Sequence, residues 1–233
     1  MIKELVLMVA LGDSITTGFN TKDAGDNRDY SWSTGSEIES HAFFLKDYYD
    51  VEILNVARAG SRTVDLERQI KLIPLDRAPE YITLMSGNNN LCSFDGTNYN
   101  EILSGIVGDL IGALNLIEET FPNAKVMVSS LANFESLYAN MSGHRRCFLS
   151  WSFACNALTN DNRTELFALG RDANNLLRNL TSGYDQVRFD EEFFRSDFKK
   201  DLIAVDCFHP NVDGQEVISL KTFQTLGDFY DIE

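Results

Sequence analysis

The stretch ELVLMVALGDSIT, residues 4–16, decides the fold of this chain. Its first eight residues are almost continuously apolar, as is typical of a strand that a parallel sheet buries on both faces. The strand then runs into the small, polar turn of Gly12, Asp13 and Ser14. A serine at such a turn holds its hydroxyl above the sheet, where the functional loops of α/β proteins gather. Ser14 is therefore a candidate nucleophile, and a helix N-cap is the alternative role that its position allows.

Outward from this strand, further apolar runs alternate with helix-period stretches, which is typical of βαβ units. The predicted strands are 4–11, 51–56, 81–85, 125–130 and 186–189, and the predicted helices are 37–49, 64–73, 102–117, 165–180 and 214–226. Phe121-Pro122 ends the third of these helices. We predict an α/β fold in three layers, with a five-stranded, mostly parallel sheet between two layers of helices.

Length and charge limit the possible partners. The 233 residues suit one domain spanning 1–233, and a formal net charge of −15 repels nucleic acid and anionic membranes. We therefore expect no nucleic-acid partner and a small-molecule or lipid-like substrate that is neutral or zwitterionic. The oligomeric state stays open. The apolar run near the start is too short to span a bilayer and has no small-residue cleavage site, so we expect neither stable membrane insertion nor a signal peptide in this chain. The compartment is open, with an extracytoplasmic one favoured.

The four cysteines, Cys92, Cys147, Cys155 and Cys207, have no C-x-x-C spacing, which argues against a structural zinc site. We expect no metal and no cofactor. Cys147 and Cys155 lie close together in one long connection, which leaves a local bridge and two buried free thiols as open alternatives. The acidic stretch 19–36 does not match an EF-hand, so calcium is not predicted.

Only three histidines exist, and one of them suits base catalysis. In Asp206-Cys207-Phe208-His209, the three-residue step lets a carboxylate meet and orient an imidazole within one turn. An Asp-x-x-His is also common in plain exposed loops. His41 lies in a helical pattern and is interpreted as a packed or surface residue. His144 precedes Arg145 and Arg146 and is interpreted as part of a solvated basic loop, with head-group binding as the alternative.

Four segments together resemble the motif blocks of the GDSL, or SGNH, hydrolase family, in the family's order. They are Gly12-Asp13-Ser14, residues 55–60 (NVARAG), residues 87–90 (GNNN) and residues 206–209 (DCFH). The resemblance implies a flavodoxin-like fold and ester hydrolysis, with Ser14 as nucleophile, His209 as base and Asp206 as its partner. It also implies that the amides of Ser14 and Gly60 and the side chain of Asn89 form the oxyanion hole. Gly60 and Asn89 both follow predicted strands, although each alone would pass for a turn residue.

Residues 30–35 (YSWSTG) and 90–92 (NLC) further resemble phospholipase B-type members of that family, which implies phospholipid acyl esters as substrates. Two positions depart from the family pattern. Ile15 replaces the leucine that names the family, and Asn90 stands where an aspartate usually follows the oxyanion asparagine. The alternatives are a carbohydrate acetylesterase or a thioesterase on the same three residues, and a non-catalytic binding module on the same fold.

The connection 132–160 is long and rich in aromatic residues, namely Phe134, Tyr138, Phe148, Trp151 and Phe153. Two interpretations are open for it. The segment either lines an acyl groove or forms a packed cover on the sheet.

Overall fold

Five parallel strands form the centre of the computed structural model, which describes residues 3–230 and, of Asp228 and Tyr230, the backbone alone. The strands are β1 (Leu5–Gly12), β2 (Asp50–Asn55), β3 (Tyr81–Met85), β4 (Lys125–Ser129) and β5 (Val187–Asp190). Their order is β2-β1-β3-β4-β5, and every neighbouring pair is parallel. This is the strand order of flavodoxin-like sheets. The chain adds β2 on one side of β1 and then crosses to add β3, β4 and β5 on the other side, so the strand order reverses between β1 and β3. The predicted sheet and fold class are confirmed.

Nine α-helices connect or flank these strands in the described part of the chain. They are α1 (His41–Leu45), α2 (Leu66–Ile70), α3 (Asn88–Leu91), α4 (Tyr99–Thr120), α5 (Phe134–Met141), α6 (Arg145–Ala154), α7 (Arg163–Thr181), α8 (Glu192–Arg195) and α9 (Val212–Tyr230). Helix α4 packs against α2 and α7 in one layer, and α1 packs against α9 in the other. Residues of the inner strands β1, β3 and β4 are almost all buried between the two layers, whereas the edge strands β2 and β5 have partly exposed residues.

Helix α4 is long because its apolar residues recur every three or four positions. Ile102, Ile106, Leu110, Leu114 and Ile117 are all buried in the core. By length and composition alone α4 is apolar enough to cross a membrane. Its packed inward face is that of a core helix, and the helix ends at the residue before Phe121-Pro122, as predicted.

Two predicted helices are shorter than their sequence patterns. Helix α1 begins at His41 because the Ser40 hydroxyl accepts a hydrogen bond from the backbone N–H of Phe43, so residues 37–40 stay outside it. The predicted helix 64–73 is a 3-10 turn (Thr63–Asp65) followed by α2. Thr63 donates its backbone N–H, which has no partner within the turn, to the Asn90 side chain.

The cysteines pair differently from both expectations. Disulfides join Cys92 to Cys155 and Cys147 to Cys207, so neither a local bridge between Cys147 and Cys155 nor free thiols occur. Helix α6 explains the error. It starts before Cys147 and ends just before Cys155, and eight residues of helix separate two Cα atoms by about 12 Å, far beyond disulfide reach.

Candidate active site

The predicted site residues gather at the carboxyl ends of β1, β2 and β3. Ser14 follows β1, Gly60 follows β2, and Asn89 lies in α3, directly after β3. Since β1 lies between β2 and β3, the three loops meet at the point where the strand order reverses. Open α/β sheets place their ligand crevice at this point.

Ser14 is buried, and its Oγ lies 2.8 Å from Nε2 of His209. The N-cap interpretation of Ser14 is wrong, because the residues that follow it form turns and not a helix. It is Asp13 that binds the local backbone, accepting the N–H of Ile15 at 3.0 Å through Oδ1. The Ser14 hydroxyl therefore has the imidazole as its side-chain partner.

The second half of the site is the loop of Asp206 and His209. His209 Nδ1 lies 2.7 Å from Asp206 Oδ2, and the backbone N–H groups of Phe208 and His209 both donate to Oδ1 at 3.0 Å. Burial by itself raises the pKa of Asp206, but the hydrogen bond from His209, its Coulombic attraction and the hydrogen bond from Asn20 together lower it to about 2. Asp206 is thus an anion that fixes the imidazole with Nε2 directed at Ser14.

Asn20 is a contact of Asp206 that sequence reasoning missed. Its Nδ2 donates to Asp206 Oδ2 at 2.7 Å, although the two residues are 186 positions apart. Asn20 has a φ of +58° and Cys207 a φ of +63°, and these are the two non-glycine residues with positive φ within residues 3–230. Such backbone is unfavourable for a side-chain-bearing residue, and it tends to occur at functional sites. Both examples adjoin the same carboxylate.

Gly60 is the third residue of a turn that Ser61 N–H closes on the Arg58 carbonyl at 3.1 Å. Its φ of +79° favours glycine, whereas an added Cβ would meet nothing within 4 Å. Backbone conformation, and not close approach of protein atoms, therefore explains the glycine. The turn is joined to α3, because Asn89 Nδ2 donates to the Ser61 carbonyl at 2.8 Å. A carboxamide carries two hydrogens, so a second one exists for a substrate oxygen.

The neighbours of Asn89 join α3 to three further places in the chain, at Asp13, Ala132 and Thr63. Asn88 donates to Asp13 Oδ2 at 3.2 Å and accepts the backbone N–H of Ala132. Asn90 accepts the backbone N–H of Thr63 and donates to its hydroxyl at 2.9 Å. Three consecutive asparagines thus each hold a different part of the site, a role that the motif alone does not reveal.

Gln69 on α2 is another residue that the sequence does not single out. Its buried amide forms two hydrogen bonds with Gly12, accepting the N–H at 2.8 Å and donating to the carbonyl at 2.9 Å. The same amide nitrogen lies 3.2 Å from the Ser61 hydroxyl. Gln69 therefore joins the end of β1 to the Gly60 turn. A polar residue on the apolar face of a predicted helix is the signal that marks it.

Asp13 is fully buried beneath the site. Burial raises its pKa to about 6, against the opposing effects of the Ile15 and Asn88 hydrogen bonds and of His209.

Within residues 3–230, no group of three or more His, Cys, Asp or Glu side chains is arranged to hold a metal ion.

A small apolar cavity of about 30 Å³ lies next to the site. Ile15 lines it beside Ser14, and Phe208 lines it beside His209, whose ring it meets edge-on at 5.0 Å between centroids. Its other apolar walls include Phe134, Leu137, Phe193, Phe198 and Ile203. Its lining is apolar except for Asn88 and Asn133, and such a lining is typical of small-molecule sites.

In the connection 132–160, one aromatic residue lines the cavity and another is packed in the interior, so each of the two interpretations applies to a part of it. Phe134 lines the cavity and Trp151 is fully buried, with its indole N–H donating to the Cys207 carbonyl at 2.9 Å. Phe148 and Phe153 are exposed and do neither. Of the other histidines, His41 is buried and His144 is exposed next to the start of α6.

Comparisons with known proteins identify the family. The family model described as GDSL-like Lipase/Acylhydrolase matches residues 8–221. The chain therefore belongs to this family, which places it in the class of serine esterases and lipases.

Among curated proteins, human "Phospholipase B1, membrane-associated" is 25% identical over 173 residues. The match spans 60% of this chain and 12% of that protein, so the chain corresponds to a small part of its relative.

Among solved structures, the lipase Lip_vut3 from a goat rumen metagenome has a TM-score of 0.65 at 19% identity, covering 94% of this chain and 96% of the other. A catalytic mutant of Axe2, an acetylxylan esterase from Geobacillus stearothermophilus, has a TM-score of 0.64 at 13% identity, covering 97% and 96%. At these identities the likeness shows the fold.

Proposed function

We propose that this chain hydrolyses carboxylic esters of lipids, with Ser14 as nucleophile, His209 as general base and Asp206 as the carboxylate that orients the base. One observation carries the proposal, namely the continuous hydrogen-bond chain from Ser14 Oγ through the imidazole to Asp206, with links of 2.8 and 2.7 Å. A serine hydroxyl becomes a useful nucleophile when a base held in this way removes its proton.

The reaction has two steps. Ser14 Oγ attacks the ester carbonyl carbon while His209 Nε2 takes the hydroxyl proton, and the same nitrogen then gives that proton to the departing alcohol. The acyl group remains on Ser14. Water next attacks the acyl-enzyme, His209 again takes and returns one proton, and the carboxylic acid leaves with the Ser14 hydroxyl restored. Asp206 stays ionised and stabilises the imidazolium formed in each step.

The proposed oxyanion hole consists of the backbone N–H groups of Ser14 and Gly60 and the side-chain amide of Asn89. The hydrogen bond from Asn89 to the Ser61 carbonyl supports this role, because it links the amide donor to the Gly60 turn. Fixed donors of this kind stabilise the negative charge that develops on the carbonyl oxygen.

Long acyl chains are the proposed substrates because the cavity beside Ser14 is apolar and lined by four phenylalanines. The name of the human relative, a phospholipase, supports phospholipids as the class. The net charge of −15 favours a neutral or zwitterionic head group. Acetylated carbohydrates and thioesters are the alternative substrates on the same three residues.

The family match over residues 8–221 supports one hydrolase domain for the chain. The two disulfides support an extracytoplasmic compartment, because reducing compartments keep such thiols unpaired.

The test replaces Ser14 by alanine and measures hydrolysis of a soluble p-nitrophenyl ester. We expect turnover to fall by about four orders of magnitude or more. Ser219→Ala is the matched control, because it also removes a buried hydroxyl, one that has no hydrogen-bond partner among the described residues. Wild-type turnover in Ser14→Ala would refute the assignment.

The substrate class is tested separately with p-nitrophenyl esters of increasing chain length and with phospholipid and acetylxylan substrates. The apolar cavity predicts that kcat/KM rises with chain length. A preference for acetyl esters over long-chain esters would favour the carbohydrate esterase instead.

A further inference from the structure

The outer face of α6 exposes three large apolar side chains to solvent. Its residues Phe148, Leu149 and Phe153 are 43%, 61% and 93% exposed. At 100° per residue these three side chains fall within an arc of about 140°, so they share one side of the helix. Cys147 and Trp151, on the opposite side, are buried. We call the exposed side the α6 face.

Basic residues accompany this apolar surface. Arg145 and Arg146 are both exposed and project from the same side of the helix, within about 20° of the arc. Neither takes part in an ion pair or hydrogen bond found within residues 3–230, although the chain carries 35 Asp and Glu against 20 Lys and Arg. Two free guanidinium groups beside exposed aromatic side chains are the composition of a helix that lies on a lipid surface.

Helix α6 is joined to the loop of Asp206 and His209 by three contacts, all from the side opposite the α6 face. Cys147 is bonded to Cys207, Trp151 donates to the Cys207 carbonyl, and the Ser150 hydroxyl donates to the Asp206 carbonyl. Val205, which precedes Asp206, is itself 76% exposed. The α6 face is therefore the outer side of a helix whose inner side holds the loop of Asp206 and His209.

We propose that the α6 face docks this protein on a phospholipid surface and so presents esters to Ser14. The inference rests on the proposed function and adds where the substrate comes from. The apolar side chains leave water by entering the surface, and Arg145 and Arg146 bind phosphate groups, whose geometry suits guanidinium. Because the whole chain is acidic, the surface it fits is zwitterionic, such as phosphatidylcholine.

The experiment measures binding of the Ser14→Ala full chain to phosphatidylcholine vesicles by co-sedimentation, so that hydrolysis does not consume the vesicles. Adding Phe148→Ser, Leu149→Ser and Phe153→Ser should weaken binding by roughly tenfold or more, because binding scales with buried apolar area. The single change Phe153→Ser should weaken it less and in the same direction. Leu72→Ser with Leu75→Ser is the control, since these leucines are 59% and 80% exposed in the connection that leads into the amino end of β3.

With Ser14 restored, the triple variant should keep wild-type kcat/KM on a soluble short-chain ester and lose most of its activity on vesicles. Equal vesicle binding by the Ser14→Ala chain with and without the three serine substitutions on α6, or no binding by either, would overturn the inference. Sedimentation velocity would also overturn it if wild type were a dimer and the triple variant a monomer. The α6 face would then bind a second copy of this chain. In each of these cases the proposed ester hydrolysis stands as long as wild type cleaves the soluble ester. If wild type does not cleave the soluble ester, the proposed function itself is refuted.

Discussion

Asn20 donates its side-chain amide to the Asp206 carboxylate at 2.7 Å, which places residues from the two ends of the chain in one hydrogen-bond network. The amide is held in turn, because Asn20 Oδ1 accepts the backbone N–H of Gly25 at 3.0 Å. Asn20 therefore acts as a positioning residue for the carboxylate that orients His209.

We expect Asn20→Ala to lower kcat/KM roughly tenfold, as befits loss of one hydrogen bond to a charged group. Asn20→Asp keeps the shape but adds a negative charge beside Asp206, so it should lower activity further. It should also move the acid limb of the pH–activity profile to higher pH, because the extra charge favours protonated imidazole. Equal pH profiles for both variants would show that Asn20 acts only through folding.

The Cys147–Cys207 disulfide should matter for catalysis as well as for stability. Its removal by Cys147→Ser with Cys207→Ser frees a loop of about 60 residues, which costs about 4 kcal/mol of unfolding free energy by chain entropy. The pair Cys92 and Cys155 has a sequence separation of 63 and is the matched control for this cost.

Because Cys207 adjoins Asp206, we expect the first double variant to lose several-fold more kcat than the control at a similar loss of stability. Urea unfolding and soluble-ester kinetics measure the two quantities. A larger activity loss in the Cys92 and Cys155 variant would contradict this assignment.

Asn90 and Asp109 depend on each other through Thr63. The Thr63 hydroxyl donates to Asp109 Oδ2 at 2.7 Å and accepts from the Asn90 amide at 2.9 Å. A hydroxyl has one hydrogen, so Asn90→Asp, which restores the family's usual residue, would leave two carboxylates competing for it. We expect that change to destabilise the protein by about 1–3 kcal/mol.

Adding Asp109→Asn should recover most of this loss, because the new amide donates to Thr63 and the hydroxyl then donates to the other carboxylate. Denaturant unfolding of the two single variants and the double variant gives the coupling energy. Additive losses would show that the two positions do not communicate.

His41 should make stability depend on pH. Its nitrogens lie 3.0 Å from the Tyr81 hydroxyl and 2.8 Å from the Thr222 hydroxyl, and burial lowers its pKa to about 3. Between pH 6.5 and about 3 the unfolded chain therefore binds a proton that the folded chain does not. The contribution of His41 is fully present above pH 6.5 and is lost as pH falls, by up to about 1.4 kcal/mol per pH unit.

We expect His41→Gln to have a shallower loss of stability across that range than wild type, whatever its stability at pH 7. The comparison of slopes matters because Asp13 acts in the opposite sense. Its pKa is raised to about 6, so it favours the folded state as pH falls from that value towards 3.8. Parallel curves for wild type and His41→Gln would contradict the role of His41.

The features that sequence predicts best are those with a local signal. The β1 and α4 patterns are long and regular, and the Ser14, Asp206 and His209 motifs stand in an order that fits one family. The structure brings these three side chains together, while their roles await the tests above.

The features that sequence misses depend on distant contacts. Four cysteines allow three pairings; the length of α6 excludes the one that joins Cys147 to Cys155, and long-range packing selects between the other two. Asn20 and Gln69 form their hydrogen bonds with Asp206 and Gly12, which are distant in sequence, so only the folded structure shows these partners. Helix α1 is shorter than its pattern because capping by Ser40, and not apolar periodicity, sets its start.

Helix α6 is bonded covalently near both ends, through Cys147 to the loop of His209 and through Cys155 to the end of α3. Its inward side therefore contacts the loop that carries the site residues, while its outward side makes none of these contacts. On the docking that we propose for the α6 face, exchange of outward residues alone should redirect the protein among lipid surfaces without altering its chemistry, which makes this helix a natural point for adaptation and for engineering.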